Sequence, residues 1–336
     1  MRLGTIVDMA RSGRLALLLA TSRAMRASYR TSFLAAAVES GVLVRLAGGP
    51  RPLDRLAAEL GVAPAMRDGL EAWLGLGVWL GELRRRPDGY TLRSRLARRL
   101  ADPAHDAGAA MVEEAGTLHP RLILETPRRL REGRWFTLGD QNGALIARSS
   151  RILEPIVGEA VDSAVPTGGA PRLFEIGCGT GVYIRRAAER NPALTAVGLE
   201  LQDAAGALAG ANIARWGLAG RVAIEVGDVR ARTPRPEFDL ATLHNNIYYF
   251  PVAERVALLR HVRGFLRPRG RLLLTTVCLG PGVAVDILNL WGAMTTGCGR
   301  LPAPDELTTQ LREAGFTSVE CRSLIPRDSF YAFIAG

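Results

Sequence analysis

Between Gly177 and Gly181 the chain reads Gly-Cys-Gly-Thr-Gly, directly after the short run Leu173-Phe174-Glu175-Ile176. A plain strand-to-helix turn needs one glycine and not three. Without Cβ atoms the backbone can come close to a ligand, and the helix that follows offers free N–H groups at its start. The spacing therefore predicts a binding loop. A P-loop is excluded, because that motif ends in Gly-Lys-Ser/Thr and the 336-residue chain contains no lysine. The dinucleotide fingerprint G-x-G-x-x-G is matched only in its first half: Val182 stands at the third glycine position, and Gly181 comes one residue early. Two acids sharpen the reading. Glu175 lies just before the first glycine, and Glu200 ends the next apolar run, at the distance where a carboxylate can hold a ribose hydroxyl pair.

Other chemistry is thinner. The four cysteines (Cys178, Cys278, Cys298, Cys321) form no C-x-x-C pair and lie in apolar or glycine-rich surroundings, as reduced thiols of a cytoplasmic protein would. The four histidines, His105, His119, His244 and His261, show no metal-ligand spacing, so no metal is expected. The formal charge is +10 and the pI about 10.4, yet all 43 basic residues are arginine. Uniform arginine beside abundant Ala, Gly and Leu resembles the codon bias of a GC-rich genome more than a nucleic-acid footprint, and no nucleic-acid partner is expected. The apolar run Leu15–Ala20 is too short to span a bilayer. With Arg11, Arg14, Arg23 and Arg26 around it, it predicts an amphipathic helix that packs on something, such as a partner subunit.

Two halves of different character must position these residues. A hydrophobic fraction of 48% and 23% charged residues allow about two ordinary domains. Residues 1–165 read as almost all helix. Three helical stretches within 32–82 precede "RRRPDGYTLR", where Asp88-Gly89 signals a hairpin; helix, helix, helix, hairpin is the order of a winged helix. The third helix presents Trp, Leu and Gly where a DNA-reading helix would present Arg, Asn or Gln, which favours a packed interaction module. In the stretch 111–133, two helices broken near Pro120 and Pro127 are expected. Pro166–Arg172 is Gly/Pro-rich and reads as the linker. From Arg172 onward strands and helices alternate, which predicts a mostly parallel sheet covered on both faces, and two closing strands predict an antiparallel hairpin.

At this point the sequence resembles class I S-adenosylmethionine-dependent methyltransferases. The motifs are Glu175-Ile-Gly177-Cys-Gly179-Thr-Gly181 after the first strand, Glu200 after the second and Gly227-Asp228-Val229 after the third. Residues 166–336 would be a Rossmann-like, seven-stranded α/β methyltransferase domain. Residues 1–165 resemble the winged-helix dimerisation and substrate-lid domain of small-molecule O-methyltransferases, which implies a homodimer. The resemblance implies that Gly177, Gly179 and Gly181 let the backbone pass the methionine and ribose parts of the cofactor. Glu175 would orient the loop, Glu200 would accept from both ribose hydroxyls, and Asp228 from the adenine amino group, with Leu201 and Val229 against the ring. His244 and Asn245, at the end of the fourth strand, would face the sulfonium side. In the plant-type enzymes a histidine after that strand is the general base; here Tyr248 stands at its place, and His244 lies nearby. His244 and Tyr248 are thus the catalytic candidates. Tyr248, Tyr249, Asn289, Trp291 and Met294 are acceptor-site candidates, and Asp140 and Gln141 could close over the cofactor. The expected activity is methyl transfer to a small organic acceptor, plausibly a secondary metabolite, on oxygen first and on carbon or nitrogen as alternatives. The rival readings are a winged-helix regulator with a ligand-sensing domain and a non-methylating protein on the same fold.

Overall fold

The computed structural model describes residues 3–336, and the expected N-terminal helix is seen from Leu3 onward. Contacts divide the chain into two units, 1–128 with 141–152, and 129–140 with 153–336.

The first unit is helical. It contains α1 (Leu3–Arg11), α2 (Arg14–Glu39), α3 (Val42–Ala47), α4 (Leu53–Glu59) and α5 (Arg67–Leu80), then the hairpin of β1 (Leu83–Arg86) and β2 (Gly89–Leu92), then α6 (Arg95–Leu100). Pro87-Asp88 is the two-residue hairpin loop, and Arg86 pairs with Gly89 in register. Phe33, Leu43, Leu46, Leu56, Leu74 and Leu83 form the core of this unit. Gly77 is required beneath Phe33, since a Cβ there would lie 2.2 Å from the ring. The chain continues through α7 (Asp106–Glu132) and α8 (Gly143–Ser149). The expected break in the 111–133 stretch is absent: α7 is one helix with Pro120 and Pro127 inside it. Each proline removes one N–H and strains one turn, but Leu122 and Thr126 stay buried between the two prolines, and the Thr126 hydroxyl donates to the Leu122 carbonyl at 2.7 Å. The buried face holds the helix together across both turns.

The second unit opens with α9 (Glu154–Ala164), followed by β3 (Arg172–Ile176), α10 (Val182–Arg190), β4 (Thr195–Glu200), α11 (Asp203–Arg215), β5 (Val222–Val226), β6 (Phe238–His244), α12 (Arg255–Arg263), β7 (Leu266–Val277), α13 (Val283–Met294), α14 (Pro304–Glu313), β8 (Val319–Ser323) and β9 (Phe330–Ala335). Strand alternation builds a seven-stranded sheet in the order β5-β4-β3-β6-β7-β9-β8. The first five are parallel to their neighbours, while β9 runs antiparallel to β7 and β8. Central parallel strands are covered on both faces and so read as unbroken apolar runs; β3 and β6 are buried along nearly their whole length. On one face α9, α10 and α11 pack Val157, Val161, Ile184, Ala187 and Ile213 against the sheet. Elsewhere Phe174 stacks on Phe238 with ring centroids 4.9 Å apart and meets Phe265 at 5.0 Å. The order reverses between β3 and β6. The carboxyl ends at such a reversal border the crevice where an open α/β sheet takes its ligand.

Candidate active site

The glycine loop fills that crevice between β3 and α10. Gly177, Gly179 and Gly181 have φ of +69°, +53° and +78°, a left-handed region costly for any residue with a Cβ. The loop is held by backbone bonds: Gly177 and Cys178 both donate to the Leu199 carbonyl, at 2.7 and 3.0 Å. A Cβ on Gly177 would lie 2.7 Å from Nδ2 of Asn246, and that nitrogen donates to the Ile176 carbonyl at 2.7 Å. The loop is thus clamped from both neighbouring strands.

Glu200 ends β4. Its Oε2 accepts the Gly179 N–H at 2.8 Å, and its Oε1 accepts from Gln202 N at 3.2 Å. The carboxylate is half-buried and anchored at the loop, with lone pairs left for a ligand. Leu201 beside it is 57% exposed and Val226 at the end of β5 is 49% exposed, so an open apolar shelf lies next to the acid. Asp228 caps a short turn by accepting from Arg230 N at 2.9 Å, and it also pairs with the Arg230 guanidinium at 2.6 Å, which holds its carboxyl below the usual range. Val229 is buried, and its carbonyl lies 2.9 Å from Nε2 of His261.

Beneath the loop the environment is different. Glu175 is 1% exposed and burial pushes its carboxyl well above the usual range, with Glu200 adding repulsion. Cys178 and Tyr183 are also pushed up by burial. His244, at the end of β6, faces Thr275 of β7, with Nδ1 2.8 Å from the hydroxyl oxygen, and Tyr183 packs on its ring at 4.8 Å. Burial with no acid partner pulls its imidazole down to about 3, so it is neutral throughout the physiological range. Five buried polar atoms here lack a hydrogen-bond partner among the described residues: Glu175 Oε2, Thr242 Oγ1, His244 Nε2, Asn245 Oδ1 and Asn246 Oδ1. Buried polar groups are normally hydrogen-bonded, and five orphans clustered where three glycines clear the backbone fit a polar ligand's binding site. Asn245 itself takes φ +52° and donates its N–H to the Thr275 carbonyl at 2.7 Å.

The acceptor-site candidates lie along the loop after β6 and on α13. Tyr248 and Tyr249 stack at 5.3 Å, and Trp291 meets Tyr249 at 5.2 Å and Tyr248 at 6.1 Å, edge to face. Trp291 Nε1 is buried without a partner. Met294 is buried, and its carbonyl accepts from Phe136 N at 2.8 Å. Asn289 is occupied, its Oδ1 accepting from Leu301 N at 3.0 Å. Asp140 accepts from the backbone and hydroxyl of Thr137, whereas Gln141 belongs to the first unit. The structure thus gathers Glu175, the three glycines, Glu200, His244 and Asn245 at one strand edge, and Tyr248, Tyr249 and Trp291 into one aromatic wall.

Three contributors escaped the sequence reading. Asn246 carried a local signal, a second asparagine at the strand end. Thr275 and Tyr183 carried none, since each acts through a contact made only when the sheet forms. Among the described residues no group of three or more His, Cys, Asp or Glu is placed to hold a metal ion, and no helix is long and apolar enough to cross a membrane.

Comparison with known proteins points to methyl transfer. Residues 173–270 match the family model described as "Methyltransferase domain". The demethylspheroidene O-methyltransferase of Rhodobacter capsulatus is 27% identical over 307 residues, covering 86% of this chain and 75% of the relative. The acetylserotonin O-methyltransferase of Mus musculus is 32% identical over 171 residues, 49% of this chain and 43% of the relative. The solved structure of mitomycin 7-O-methyltransferase superposes with a TM-score of 0.81 at 19% identity, covering 97% of this chain and 99% of that one. Human N-acetylserotonin methyltransferase in complex with S-adenosylmethionine gives 0.74 at 18%, covering 95% and 97%. Residues 173–270 thus carry a methyltransferase domain on a class I fold, and the enzyme's activity is methyl transfer from S-adenosylmethionine.

Proposed function

We propose that the enzyme O-methylates a small, planar organic acceptor of secondary metabolism. The observation that carries this is the aromatic wall of Tyr248, Tyr249 and Trp291, built on the loop whose Asn246 holds the glycine loop: flat rings at 5–6 Å suit a flat, apolar partner. The names of the similar proteins point the same way, since they are O-methyltransferases of demethylspheroidene, acetylserotonin and mitomycin.

Glu200 would hold the ribose hydroxyls, Leu201 and Val226 with Val229 and Asp228 would hold the adenine, and the orphan atoms of Asn245 and His244 would serve the methionine part. When bound, S-adenosylmethionine supplies an electrophilic methyl on a good leaving group. The protein's work is then alignment and exclusion of water. Neutral His244 adds no positive charge beside a sulfonium. With no carboxylate behind it, it is a hydrogen-bonding and positioning group and a weak base. Tyr248 walls and orients the acceptor. An acceptor hydroxyl acidic enough to ionise near neutrality, an electron-poor phenol or a conjugated enol, suits a site without a strong base.

Residues 1–165 are read as the winged-helix-type dimerisation and lid domain and 166–336 as the cofactor domain of a cytoplasmic, metal-independent homodimer that binds no nucleic acid. Leu17, Leu18 and Leu19 on α2 are all more than half exposed, as subunit-contact residues are in an isolated chain. The test is product detection by mass spectrometry with an acceptor panel of phenols, enols, amines and carbon acids, with EDTA present. Methylation of phenols or enols is expected. Transfer only to amines or carbon, or loss of activity with EDTA, overturns the reading.

A further inference from the structure

Arg255, the first residue of α12, is fully buried. An interior guanidinium is costly unless its N–H groups find acceptors. Here the acceptors are backbone: Nε donates to the Phe250 carbonyl at 3.2 Å, and a terminal nitrogen to the Arg300 carbonyl at 2.6 Å. The two carbonyls belong to loops far apart in sequence. One follows β6 and carries Tyr248 and Tyr249; the other follows α13, which carries Trp291. The loops also touch directly, Gly299 N donating to the Tyr248 carbonyl at 2.9 Å.

The seam leaves no slack. A Cβ on Gly299 would lie 2.8 Å from an Arg255 nitrogen, 2.9 Å from the Phe250 oxygen and 3.0 Å from Val252 N. A Cβ on Gly292 of α13 would lie 2.5 Å from the Gly299 oxygen. Behind it, Glu306 grips the Arg300 guanidinium with two bonds of 2.8 Å. Burial pulls Arg255 down to about 10, partly offset by Glu306, so it is a cation at neutral pH. Its other terminal nitrogen has no partner. An apolar side chain would fill this space without burying a charge, so stability alone does not account for the residue. What arginine adds is a rigid fork of fixed reach between two loops.

We propose that Arg255 is a positioning residue for the methyl acceptor: it fixes the separation between the Tyr248–Tyr249 loop and the Trp291 helix, and so sets the width of the aromatic slot. This rests on the reading that the aromatic wall faces the acceptor. The hydrogen bonds of the clasp run to the two loops and to none of the cofactor-side residues, its nearest link to them being Phe250, whose ring lies 5.6 Å beneath Arg230, the partner of Asp228; its loss is therefore expected to act first on acceptor binding.

Three variants test it: Arg255→Met removes the fork and the charge, Arg255→Lys keeps only the charge, and Gly299→Ala wedges the seam with Arg255 intact. Each is measured for acceptor KM and kcat, for S-adenosylmethionine affinity by calorimetry and for Tm. The acceptor is a phenol or enol that the parent methylates. Acceptor KM should rise about tenfold in Arg255→Met and Gly299→Ala and less in Arg255→Lys, with cofactor affinity within about twofold of the parent. If Arg255→Met fails to fold, Gly299→Ala decides. A lowered Tm with unchanged KM, or an equal loss of cofactor and acceptor binding, overturns the proposal and makes the residue a plain structural support. A parent that binds the cofactor yet methylates no planar acceptor overturns the functional reading itself, and the proposal with it.

Discussion

At the glycine loop the backbone does the holding: Gly177 and Cys178 hang from one carbonyl of β4, Gly179 from the acid that ends the same strand, and every glycine is at a dihedral closed to other residues. At the acceptor wall the holding is done by side chains, with Arg255, Glu306 and Asn289 tying loops drawn from distant stretches of chain. A site made of backbone recognises one ligand and resists change, because almost no substitution leaves its geometry intact. A site made of side chains can be refitted one residue at a time. The enzyme thus joins a fixed cofactor half to an adjustable acceptor half within one unit.

Removing Glu200 attacks the fixed half most directly. Glu200→Ala deletes both the ribose acceptor and the anchor of Gly179, and charge-assisted bonds of this kind contribute roughly 2–3 kcal/mol, so calorimetry should show S-adenosylmethionine binding about 30- to 150-fold weaker. Unchanged affinity would show that the loop stands without its acid. Gly177→Ala is the smallest chemical change with a large expected effect. The left-handed φ costs roughly 1 kcal/mol and the new methyl must displace Asn246, so about tenfold weaker cofactor binding is expected with acceptor KM unaltered. If acceptor KM moves instead, the two halves are not separable.

On the adjustable half, Tyr248→Phe removes one hydroxyl and little volume. A loss of about fivefold to tenfold in kcat/KM, with cofactor affinity intact, is expected for one lost hydrogen bond. No change would reduce Tyr248 to an apolar wall.

A last effect lies in the pH dependence of stability rather than in catalysis. His244 stays neutral in the fold down to about 3 while its unfolded counterpart protonates at 6.5, so stability falls as pH drops below 6.5. Glu175 has the opposite sign: the folded form keeps a proton that the unfolded form releases above 4.5, so stability falls as pH rises from there. Between 4.5 and 6.5 the two slopes oppose each other. Glu175→Gln deletes the second, and stability should then rise with pH by up to about 1.4 kcal/mol per pH unit across that window. Parallel Tm profiles for parent and variant would show that the Glu175 carboxyl is hydrated in the fold.

The same contrast explains what the sequence disclosed. The glycine loop, Glu200 and the strand–helix alternation were legible because they lie within one βαβ unit, where spacing along the chain is spacing in space. The closing hairpin was legible from its short turn. Unbroken α7 was not, because local rules weigh Pro120 and Pro127 but do not see the buried face that carries the helix across them. Asn289 looked like an acceptor ligand from its place on α13, yet its amide oxygen serves Leu301. Nothing in the run "VAERVALL" distinguished Arg255 from the other arginines of the chain. Its role exists only where two remote loops meet.

The interleaved division of the chain, with residues 129–140 grouped with 153–336 and residues 141–152 with the helical unit, has a consequence for synthesis. Phe136 pairs alongside Thr295, and its backbone bonds with Met294 and Thr296 form only after those residues exist. On the ribosome the helical unit is complete once residue 152 has emerged, while the strip 129–140 must wait for most of the remaining chain to be translated. No single cut separates the two units, so grafting the helical unit onto another enzyme of this fold requires splicing at three junctions.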